Sequence, residues 1–420
     1  MIQIKPRKIK DATVSVPGSK SYSHRILIAA SLSEGACEIE NCLKSDDTLL
    51  TLKALRQMGI PIDASKPDRI IVQGGKGVIG AVQQDIFLGN SGTSMRLLTA
   101  VAALGKGTYR LTGTERMQQR PIQDLIDGLN QLGVRIRSVN NNGCPPVEIE
   151  GGEINGRRVR LNCSSSSQFL SALLLIAPLT SRGIDIQVTH GPVSKPYIDM
   201  TVGVMEKLGV GVWRDRYHHF RIKGNQIYRS GSYQVEPDAS QASYFWAAAA
   251  VTGAAVKVTG ITPNSSQGDV GFTRILESMG CAVVAEIDGI RVVGRPLTAV
   301  EVDMADMPDL VPTLAVVSAF AKGTTVISNV GHLRAKESDR LAAVAGELTK
   351  MGIEVACNDT GLIIKGGNPH GADIETYNDH RLAMSFAVAG LRTPGVAIKN
   401  EKCVEKSFPD FWTVFNKLHD

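Results

Sequence analysis

The stretch LNQLGVRI, residues 129–136, has the pattern of a last helical turn, a glycine stop at Gly133 and the first residues of a strand. Glycine just after the last helical residue is typical of a left-handed C-cap. The signature occurs five times, with its glycines about 70–76 residues apart, at Gly59, Gly133, Gly209, Gly280 and Gly352. A period of this length indicates a repeated structural unit.

Two further elements share this period. An alternating run such as VEIEGG, residues 147–152, follows each glycine stop and predicts a half-buried strand. A small-residue helix followed by a turn and a strand occurs in six copies, for example AVAALGKGTYRLTG at residues 100–113. Because one such unit cannot cover its own apolar faces, the six α/β units must share cores.

The sixth unit is truncated near the C-terminus, so the unit boundaries do not match the chain ends. One unit is therefore expected to be shared between the two ends, with the N-terminal strand returning to the C-terminal half. This predicts two pseudo-symmetric domains of three units each, residues 18–236 and residues 1–17 together with 237–420. The return crossover is placed at QVEPDAS, residues 234–240.

Composition limits the classes of function. The 420 residues carry a net charge of +5 without any block of five basic residues, which suits anionic small molecules and gives no reason to expect nucleic acid. The seven cysteines form no C-x-x-C pair and no zinc or EF-hand spacing occurs, so we expect free thiols, no metal and no cofactor. The N-terminus has no signal or transit pattern, and no apolar run is long enough for a bilayer. A stand-alone cytoplasmic monomer without membrane contact is expected.

Polar clusters precede several of the Ala- and Leu-rich helices, where free backbone N–H groups and the helix dipole favour anions. The first, PGSKSYSHR at residues 17–25, is similar to a phosphate-binding P-loop, but Ser19 stands where a Walker loop needs Gly. Lys20, Ser21 and Arg25 still offer a point charge, a hydroxyl and a guanidinium fork. A capped surface helix with solvated basic residues is the alternative interpretation.

Other clusters offer candidate acids and bases. In RAKESDR, residues 334–340, a helix would place Lys336 and Arg340 on one face, where like charges repel unless an anion lies between them. Glu337 is then a candidate acid or base, although an exposed salt-bridged helix fits equally well. MPDLVP places Asp309 between two prolines, where a helix cap is the simple explanation, and NDHR offers His380 beside an acid and an arginine.

Candidate anion-binding cations come from both halves of the chain: Lys20, Arg25, Arg120, Lys336, Arg340 and Arg381. Together with the carboxylates of Asp309 and Glu337, they suit one or two heavily anionic substrates bound between two domains.

These motifs, taken in order, resemble those of the 5-enolpyruvylshikimate-3-phosphate synthase family of enolpyruvyl transferases. They are PGSKSYSHR, LGNSGTSMR, QQRPI, SSSQFLSALL, SKPYID, MPDLVPT, RAKESDRL, YNDHRLAMS and CVEKSFPDFW. Single motifs are weak signals, but nine in register over nearly the whole chain are strong. The resemblance implies an α/β (α+β) fold with three βαβαββ repeats in each domain. It also implies an active site in the cleft between the two domains. We further hypothesise that such a site assembles by domain closure, with hinges near residues 17–20 and 235–238.

The resemblance implies transfer of the enolpyruvyl group of phosphoenolpyruvate to the 5-hydroxyl of shikimate 3-phosphate, with release of phosphate through a tetrahedral intermediate. Asp309 would accept the hydroxyl proton and Glu337 would protonate the methylene carbon, with Lys20 and His380 also counted as catalytic. The residues implied for shikimate 3-phosphate are Lys20, Ser21, Arg25, Ser166, Ser167, Gln168, Ser194, Tyr197, Asp309, His332 and Lys336. Those implied for phosphoenolpyruvate are Lys20, Asn90, Gly92, Arg120, Gln168, Arg340, Arg381 and Lys406.

The sequence departs from the family pattern at two places. The usual GNAGTAMRP is GNSGTSMRL here, with Ser91, Ser94 and Leu97 altered, which leaves sensitivity to glyphosate, the family's inhibitor, open. His332 stands where a substrate-contacting Asn is usual, which puts that contact in doubt.

Three other functions are weighed against this one. UDP-N-acetylglucosamine enolpyruvyl transferase usually carries a reactive cysteine five residues before the Arg-Pro pair, but that position is Glu115. A P-loop ATPase or shikimate kinase would need the missing Walker glycine and a magnesium ion. A non-catalytic anion- or RNA-end-binding protein would not explain Asp309 and Glu337 beside the cations.

Overall fold

Six β-sheets organise the chain in this computed structural model, which describes residues 1–6, 9 and 11–419. Arg7, Lys8 and Lys10, which belong to the predicted domain segment 1–17, and Asp420 lie outside the described residues. The chain divides into two units: Met1–Pro17 with Glu236–Asp420 is called unit 1 here, and Gly18–Val235 is called unit 2. The sequence-based boundary lay one residue later, between 236 and 237.

Each unit has six α-helices among its described residues. Those of unit 2 are α1 (Lys20–Ser31), α2 (Asp46–Gln57), α3 (Gly92–Ala103), α4 (Gln123–Gln131), α5 (Gln168–Ile176) and α6 (Lys195–Lys207). Those of unit 1 are α7 (Ala239–Thr252), α8 (Phe272–Ser278), α9 (Val311–Ser318), α10 (Arg340–Lys350), α11 (His380–Gly390) and α12 (Phe411–Asn416). Short 3-10 helices important for the site are Pro308–Leu310, Gly331–Ala335 and Glu401–Lys406.

The strands follow the repeat. Unit 1 contributes β1 (Ile2–Gln3) and β2 (Ala12–Val14) at the start of the chain. Unit 2 contributes β3 (Glu34–Glu40), β4 (Ile62–Asp63), β5 (Arg69–Gly75), β6 (Ile86–Phe87), β7 (Gly107–Thr112), β8 (Arg135–Ser138), β9 (Val147–Gly151), β10 (Arg158–Asn162), β11 (Ile184–His190), β12 (Trp213–Asp215), β13 (His219–Ile222) and β14 (Arg229–Gln234). The remaining strands of unit 1 are β15 (Ala255–Thr259), β16 (Ala282–Glu286), β17 (Gly289–Val293), β18 (Glu301–Asp303), β19 (Thr324–Ser328), β20 (Glu354–Cys357), β21 (Leu362–Lys365), β22 (Asp373–Ile374) and β23 (Ala397–Ile398).

The five four-stranded sheets have one common topology. In unit 2 their strand orders are β14-β3-β5-β4, β6-β7-β9-β8 and β10-β11-β13-β12. In unit 1 they are β16-β17-β15-β2 and β18-β19-β21-β20, and the sixth sheet is the three-stranded β1-β23-β22. Each four-stranded sheet has one parallel pair and two antiparallel pairs. In three of these sheets the parallel strands, β6 and β7, β10 and β11, and β18 and β19, are joined through a helix. The predicted βαβαββ fold is confirmed.

Three strands pair with partners that are distant in the sequence. β2 pairs in parallel with β15, and β1 pairs with β23 near the C-terminus, so the N-terminal segment completes sheets of the C-terminal half. In unit 2, β14 at residues 229–234 pairs in parallel with β3 at residues 34–40. One repeat of each unit is therefore assembled from both ends of its segment.

The five predicted helix stops are confirmed as left-handed residues. The φ angles are 86° at Gly59, 87° at Gly133, 84° at Gly209, 110° at Gly280 and 80° at Gly352. At Gly133 a Cβ would meet nothing within 4 Å, so the requirement there is for backbone conformation and not for space.

Each unit has its own hydrophobic core, built largely from helices. All of α5 except Gln168 is buried, and α7 buries every residue except Thr252. The predicted alternation of VEIEG is confirmed in β9, where Val147 and Ile149 are buried. Among the described residues, none of the helices combines the length and apolar character that crossing a bilayer requires.

Candidate active site

The polar motifs of unit 2 lie at the first turns of its helices. Lys20 begins α1, Gly92 begins α3 and Gln168 begins α5. Gln168 links two of them, because its Oε1 accepts from Arg96 Nη1 at 2.9 Å and its Nε2 donates to Thr93 Oγ1 at 3.0 Å. Lys20 Nζ lies 3.4 Å from Asp47 Oδ2 on α2. Free N–H groups at these helix ends favour anionic ligands.

Arg25 is held within unit 2 by neutral groups. Its side chain is only 1% exposed, and it donates to Thr201 Oγ1 at 2.7 Å and to the Ser21 carbonyl at 2.9 Å. The guanidinium lies 6.0 Å from the centre of the Tyr197 ring. Burial lowers the pKa of Arg25 to about 10, so the charge is retained at neutral pH. This contact set brings Arg25, Ser21 and Tyr197 together, as the family resemblance implies.

Gly92 allows two arginines to approach the first turn of α3. A Cβ at this position would lie 2.5 Å from Arg120 Nη2 and 2.7 Å from Arg96 Nη1. Arg120 Nη1 also donates to the carbonyl of Asn90 at 2.9 Å and to its side-chain oxygen at 3.1 Å. Arg120, Asn90 and Gly92 are thus in one place, whereas Arg96 was not among the predicted site residues.

Serines of two predicted motifs lie at the N-termini of α5 and α6. Ser166 Oγ accepts from the backbone N–H of Gln168 at 3.2 Å, and Ser167 is the buried N-cap residue of α5. Ser194, the N-cap residue of α6, has φ 55°, a left-handed conformation that is rare for serine. Backbone strain of this kind is concentrated at functional sites.

A chain of buried hydroxyls lies behind these helix starts. His24 Nδ1 is 2.8 Å from Thr51 Oγ1, Thr51 is 2.7 Å from Ser94 Oγ, and Ser94 is 2.7 Å from Ser91 Oγ. All four side chains are fully buried. The chain joins α1, α2 and α3, so the two family departures Ser91 and Ser94 serve a structural connection.

Arg340 is the centre of the polar cluster in unit 1. Its Nη1 donates to Asp309 Oδ1 at 2.9 Å, and its Nη2 donates to Glu337 Oε2 at 2.8 Å. Its Nε donates to Asp379 Oδ2 at 2.8 Å, and the guanidinium is 1% exposed. Burial by itself would lower the pKa of Arg340, but Asp379, Glu337 and Asp309 outweigh it and the pKa is raised.

Arg381 completes this cluster. Its Nη2 donates to Asp309 Oδ2 at 2.7 Å, so both oxygens of Asp309 accept from guanidinium groups. Arg381 Nη1 also lies 3.5 Å from the hydroxyl of Tyr244, whose pKa burial raises to about 12. Asp309 is thus held by two arginines that come from different helices, α10 and α11.

Asp379 holds the cluster in place, and no sequence argument singled it out beyond its position beside His380. It is fully buried, caps α11 by accepting from the Arg381 N–H at 3.0 Å, and accepts from Ser338 Oγ at 3.1 Å. Because Asp379 also accepts from Arg340, its contacts fix the positions of Arg340 and Arg381. The only signal in the sequence was its place as a possible N-cap before an Ala-rich helix.

The expectation that RAKESDR forms one helix is wrong. Residues 331–335 form a 3-10 helix, Lys336 is extended with ψ −155°, and α10 begins only at Arg340 with Asp339 as N-cap. Lys336 and Arg340 therefore do not share a helical face. The cap wins because the Asp339 side chain accepts from the backbone N–H of Ala342.

His332 lies beside Lys336 and Asp309. Burial first and the Lys336 charge second lower the pKa of His332 to about 4, so its imidazole is neutral at physiological pH. Its Nε2 is buried without a hydrogen-bond partner among the described residues. A neutral imidazole here offers one donor and one acceptor, as the usual Asn does.

His380 and Lys406 occupy different environments. His380 is fully buried, with Nδ1 3.7 Å from Asp379 Oδ1, so it lies next to the carboxylate that anchors Arg340. Lys406 ends the 3-10 helix Glu401–Lys406 and is partly exposed. Within the described residues, no three His, Cys, Asp or Glu side chains are grouped in a way that would hold a metal ion.

The fold is that of the enolpyruvyl transferases. A solved structure of EPSP synthase from Acinetobacter baumannii matches with a TM-score of 0.83 and 30% identity, covering 99% of this chain and 97% of its own. The enolpyruvyl transferase NikO from Streptomyces tendae matches with a TM-score of 0.79 at 21% identity, covering 99% and 96%, which supports the fold alone.

The pattern of the family EPSP synthase (3-phosphoshikimate 1-carboxyvinyltransferase) matches residues 4–415. A curated relative from Trichormus variabilis, named 3-phosphoshikimate 1-carboxyvinyltransferase, is 44% identical over 410 residues, 97% of this chain and 96% of the relative. The chain therefore belongs to the EPSP synthase family. This confirms the predicted enolpyruvyl transfer from phosphoenolpyruvate to shikimate 3-phosphate, and the UDP-N-acetylglucosamine alternative gains no support.

Proposed function

We propose that unit 1 carries out the proton transfers of this reaction, with Asp309 as base and Glu337 as acid. The observation that carries the proposal is the contact of Arg340 with both carboxylates, at 2.9 Å and 2.8 Å. One guanidinium thus holds the two groups at a fixed separation. An alcohol is a weak nucleophile and an enol carbon a weak base, so a positioned base and acid are both needed.

The contacts of the cluster support a positioned pair of carboxyl groups. Three carboxylates, Asp309, Glu337 and Asp379, contact the two arginines of this cluster. Both oxygens of Asp309 accept from guanidinium groups, and Glu337 Oε2 accepts from Arg340. The proposal therefore gives the base role to Asp309 and the acid role to Glu337, with the arginines positioning both carboxyl groups.

The proton balance closes over two steps. In the addition, Asp309 takes the proton of the 5-hydroxyl as its oxygen bonds to the central carbon of phosphoenolpyruvate, and Glu337 gives a proton to the methylene carbon. In the elimination, Glu337 takes one proton back from the new methyl group, and the phosphate leaves with the proton held by Asp309. Both carboxyl groups then return to their starting states. His380, being buried next to Asp379, acts through that residue and not on the substrate.

Unit 2 supplies most of the substrate binding in this proposal. For shikimate 3-phosphate the unit 2 residues are Lys20, Ser21, Arg25, Ser166, Ser167, Gln168, Ser194 and Tyr197. For phosphoenolpyruvate they are Lys20, Asn90, Gly92, Arg120 and Gln168, with Arg340, Arg381 and Lys406 contributed by unit 1. Guanidinium forks match phosphate and carboxylate oxygens in pairs, and the helix N-termini add backbone donors. Asp309, His332 and Lys336 complete the shikimate 3-phosphate set, with the neutral imidazole in the role of the usual Asn.

The proposal places the enzyme in the cytoplasm as a monomer without nucleic-acid or membrane partners. The mild net charge of +5 and the lack of a basic block in the sequence argue against a nucleic-acid partner.

The test is release of inorganic phosphate by the purified chain. Release should need both phosphoenolpyruvate and shikimate 3-phosphate, and no ATP or added metal. Glu337→Gln should lower kcat by about 10²–10⁴-fold while substrate binding changes little, because it removes a proton donor from the transition state. Glu354→Gln, which removes an exposed carboxylate of the same unit, is the matched control. Equal losses in turnover and binding for Glu337→Gln would overturn its role as acid.

A further inference from the structure

The solvent face of sheet β10-β11-β13-β12 carries an arrangement that the reaction does not use. Strand register places Arg158, Asp185, Arg221 and Trp213 in one row across the four strands. Side chains in such a row lie on the same face of the sheet. Arg160 lies two residues along from Arg158 and therefore on that same face.

A cavity of about 760 Å³ opens on this face. It is lined by side chains that include Arg158, Arg160, Arg221, His218 and His219 around the single acid Asp185. Its volume falls within the range of small-ligand sites, about 300–1,000 Å³. None of its lining residues is among those assigned to the two substrates.

The single acid of this cavity is already engaged. Asp185 Oδ1 lies 2.5 Å from His219 Nε2, and Arg221 Nε donates to Asp185 Oδ2 at 3.1 Å. Although partial burial alone would raise the pKa of Asp185, these two partners lower it. Arg221 in turn stacks on Trp213 at 4.9 Å. Asp185 and Arg221 are therefore held in place, and the Asp185 carboxylate already has two partners.

Arg158 and Arg160 differ in their ion pairing from the arginines on the neighbouring sheet. On the solvent face of β6-β7-β9-β8, Arg135 pairs with Glu150 at 2.5 Å and Arg137 pairs with Glu148 at 2.7 Å. Arg158 and Arg160 are exposed and have no carboxylate within ion-pair distance in the part of the chain that the structure describes. The same type of face is thus charge-compensated in one repeat and positively charged in the next.

We propose that this cavity binds a small ligand with linked phosphate groups, of the di- or triphosphate class. Two residues along a strand advance about 6.6 Å, so Arg158 and Arg160 present two parallel guanidinium forks to successive phosphates. Arg221, two strands away and rigidly held, closes the third side. Linked phosphates match three arginines better than one phosphate does, because each group engages its own fork.

Titration calorimetry on the full-length chain tests the proposal, with pyrophosphate, inorganic triphosphate and ATP as probes in low salt. The wild-type chain should bind one equivalent of triphosphate, and saturating phosphoenolpyruvate plus shikimate 3-phosphate should not displace it. The double variant R158Q/R160Q should bind at least about tenfold more weakly, since two charge-assisted contacts are lost. The matched control R135Q/R137Q removes two paired arginines of the neighbouring sheet and should bind as the wild type does.

The outcomes separate the sources of the phosphate groups. Binding of ATP and triphosphate alike assigns the site to the polyphosphate moiety, and binding of ATP alone assigns it to a nucleotide whose base contributes; both support the proposal. Absence of saturable binding by any probe would overturn it. So would full affinity in R158Q/R160Q, or displacement by the two substrates. Phosphate release by the double variant should equal that of wild type, which shows that it is folded.

Discussion

Arg25 in unit 2 and Arg340 in unit 1 are equally buried, each 1% exposed, yet their pKa values shift in opposite directions. Arg25 donates to hydroxyl and carbonyl oxygens, and burial lowers its pKa. Arg340 donates to three carboxylates that raise it. The comparison shows that burial alone does not decide the direction in which the pKa of an arginine shifts. The hydrogen-bond partners of the guanidinium decide it. Arg25 has neutral hydrogen-bond partners, whereas the guanidinium of Arg340 is hydrogen-bonded to three carboxylates.

The largest expected effect comes from removing the carboxylate that anchors Arg340. Asp379→Asn should lower the free energy of unfolding by about 3–5 kcal/mol, because breaking a buried ion pair leaves a charge without its partner. Urea denaturation measures this loss. The control Asp288→Asn breaks an exposed pair with Lys257 and should cost less than about 1 kcal/mol. A loss for Asp379→Asn no larger than the control would contradict the anchoring role.

The crowding of carboxylates in unit 1 should also be visible in the pH dependence of stability. Burial first, and nearby Asp309 among the smaller causes, raise the pKa of Asp269 from 3.8 to about 7. The folded chain then holds a proton that the unfolded chain releases near pH 4. Raising the pH from 4 to 7 therefore favours unfolding, by up to about 4 kcal/mol from this group.

Asp269→Asn should remove the part of the fall in unfolding free energy that Asp269 causes between pH 4 and 7. Urea denaturation midpoints measured between pH 4 and 8 would show this change. Asp85→Asn, an exposed carboxylate paired at 3.6 Å, is the control and should leave the profile unchanged. An unaltered slope in Asp269→Asn would mean that Asp269 is ionised throughout this range.

Arg25→Met sharpens the comparison from the side of unit 2. The apparent KM for shikimate 3-phosphate should rise by about 100-fold, because a buried charge-assisted contact to the ligand is lost. The free energy of unfolding without ligand should stay the same or rise, since an arginine without a carboxylate partner is costly to bury. Steady-state kinetics and urea denaturation on one preparation give both quantities. Destabilisation as large as that of Asp379→Asn would erase the contrast between the two arginines.

The smallest effect is expected in the hydroxyl chain of unit 2. Ser94→Ala should cost about 1 kcal/mol of unfolding free energy, because Thr51 and Ser91 each lose a hydrogen-bond partner. Ser232→Ala, at an exposed position of β14, should be neutral. If both variants have equal stability, the chain is not a structural connection between α1, α2 and α3.

Local signals made most of the fold predictable. The five glycine stops require a left-handed backbone, and each was found with φ between 80° and 110°. RAKESDR failed as a helix because side-chain capping by Asp339 competes with helical periodicity, and residue spacing does not reveal that competition. Asp379 was overlooked because a buried anchor and an ordinary helix cap have the same sequence pattern. The roles assigned to the site residues stay predictions, because they depend on bound substrates and not on local pattern.

The pairing of β14 with β3 sets an order of events during synthesis of the chain. Once residue 235 has left the ribosome, every strand of unit 2 has its partner, and Val235 N–H can bond the Glu40 carbonyl as it does in the finished structure. The first 17 residues have to wait longer, because β2 pairs with β15 and β1 pairs with β23, which begins at Ala397. The segment made first is therefore among the last to find its place, and a ribosome stalled in the second half would display a finished unit 2 behind an unpaired leading strand.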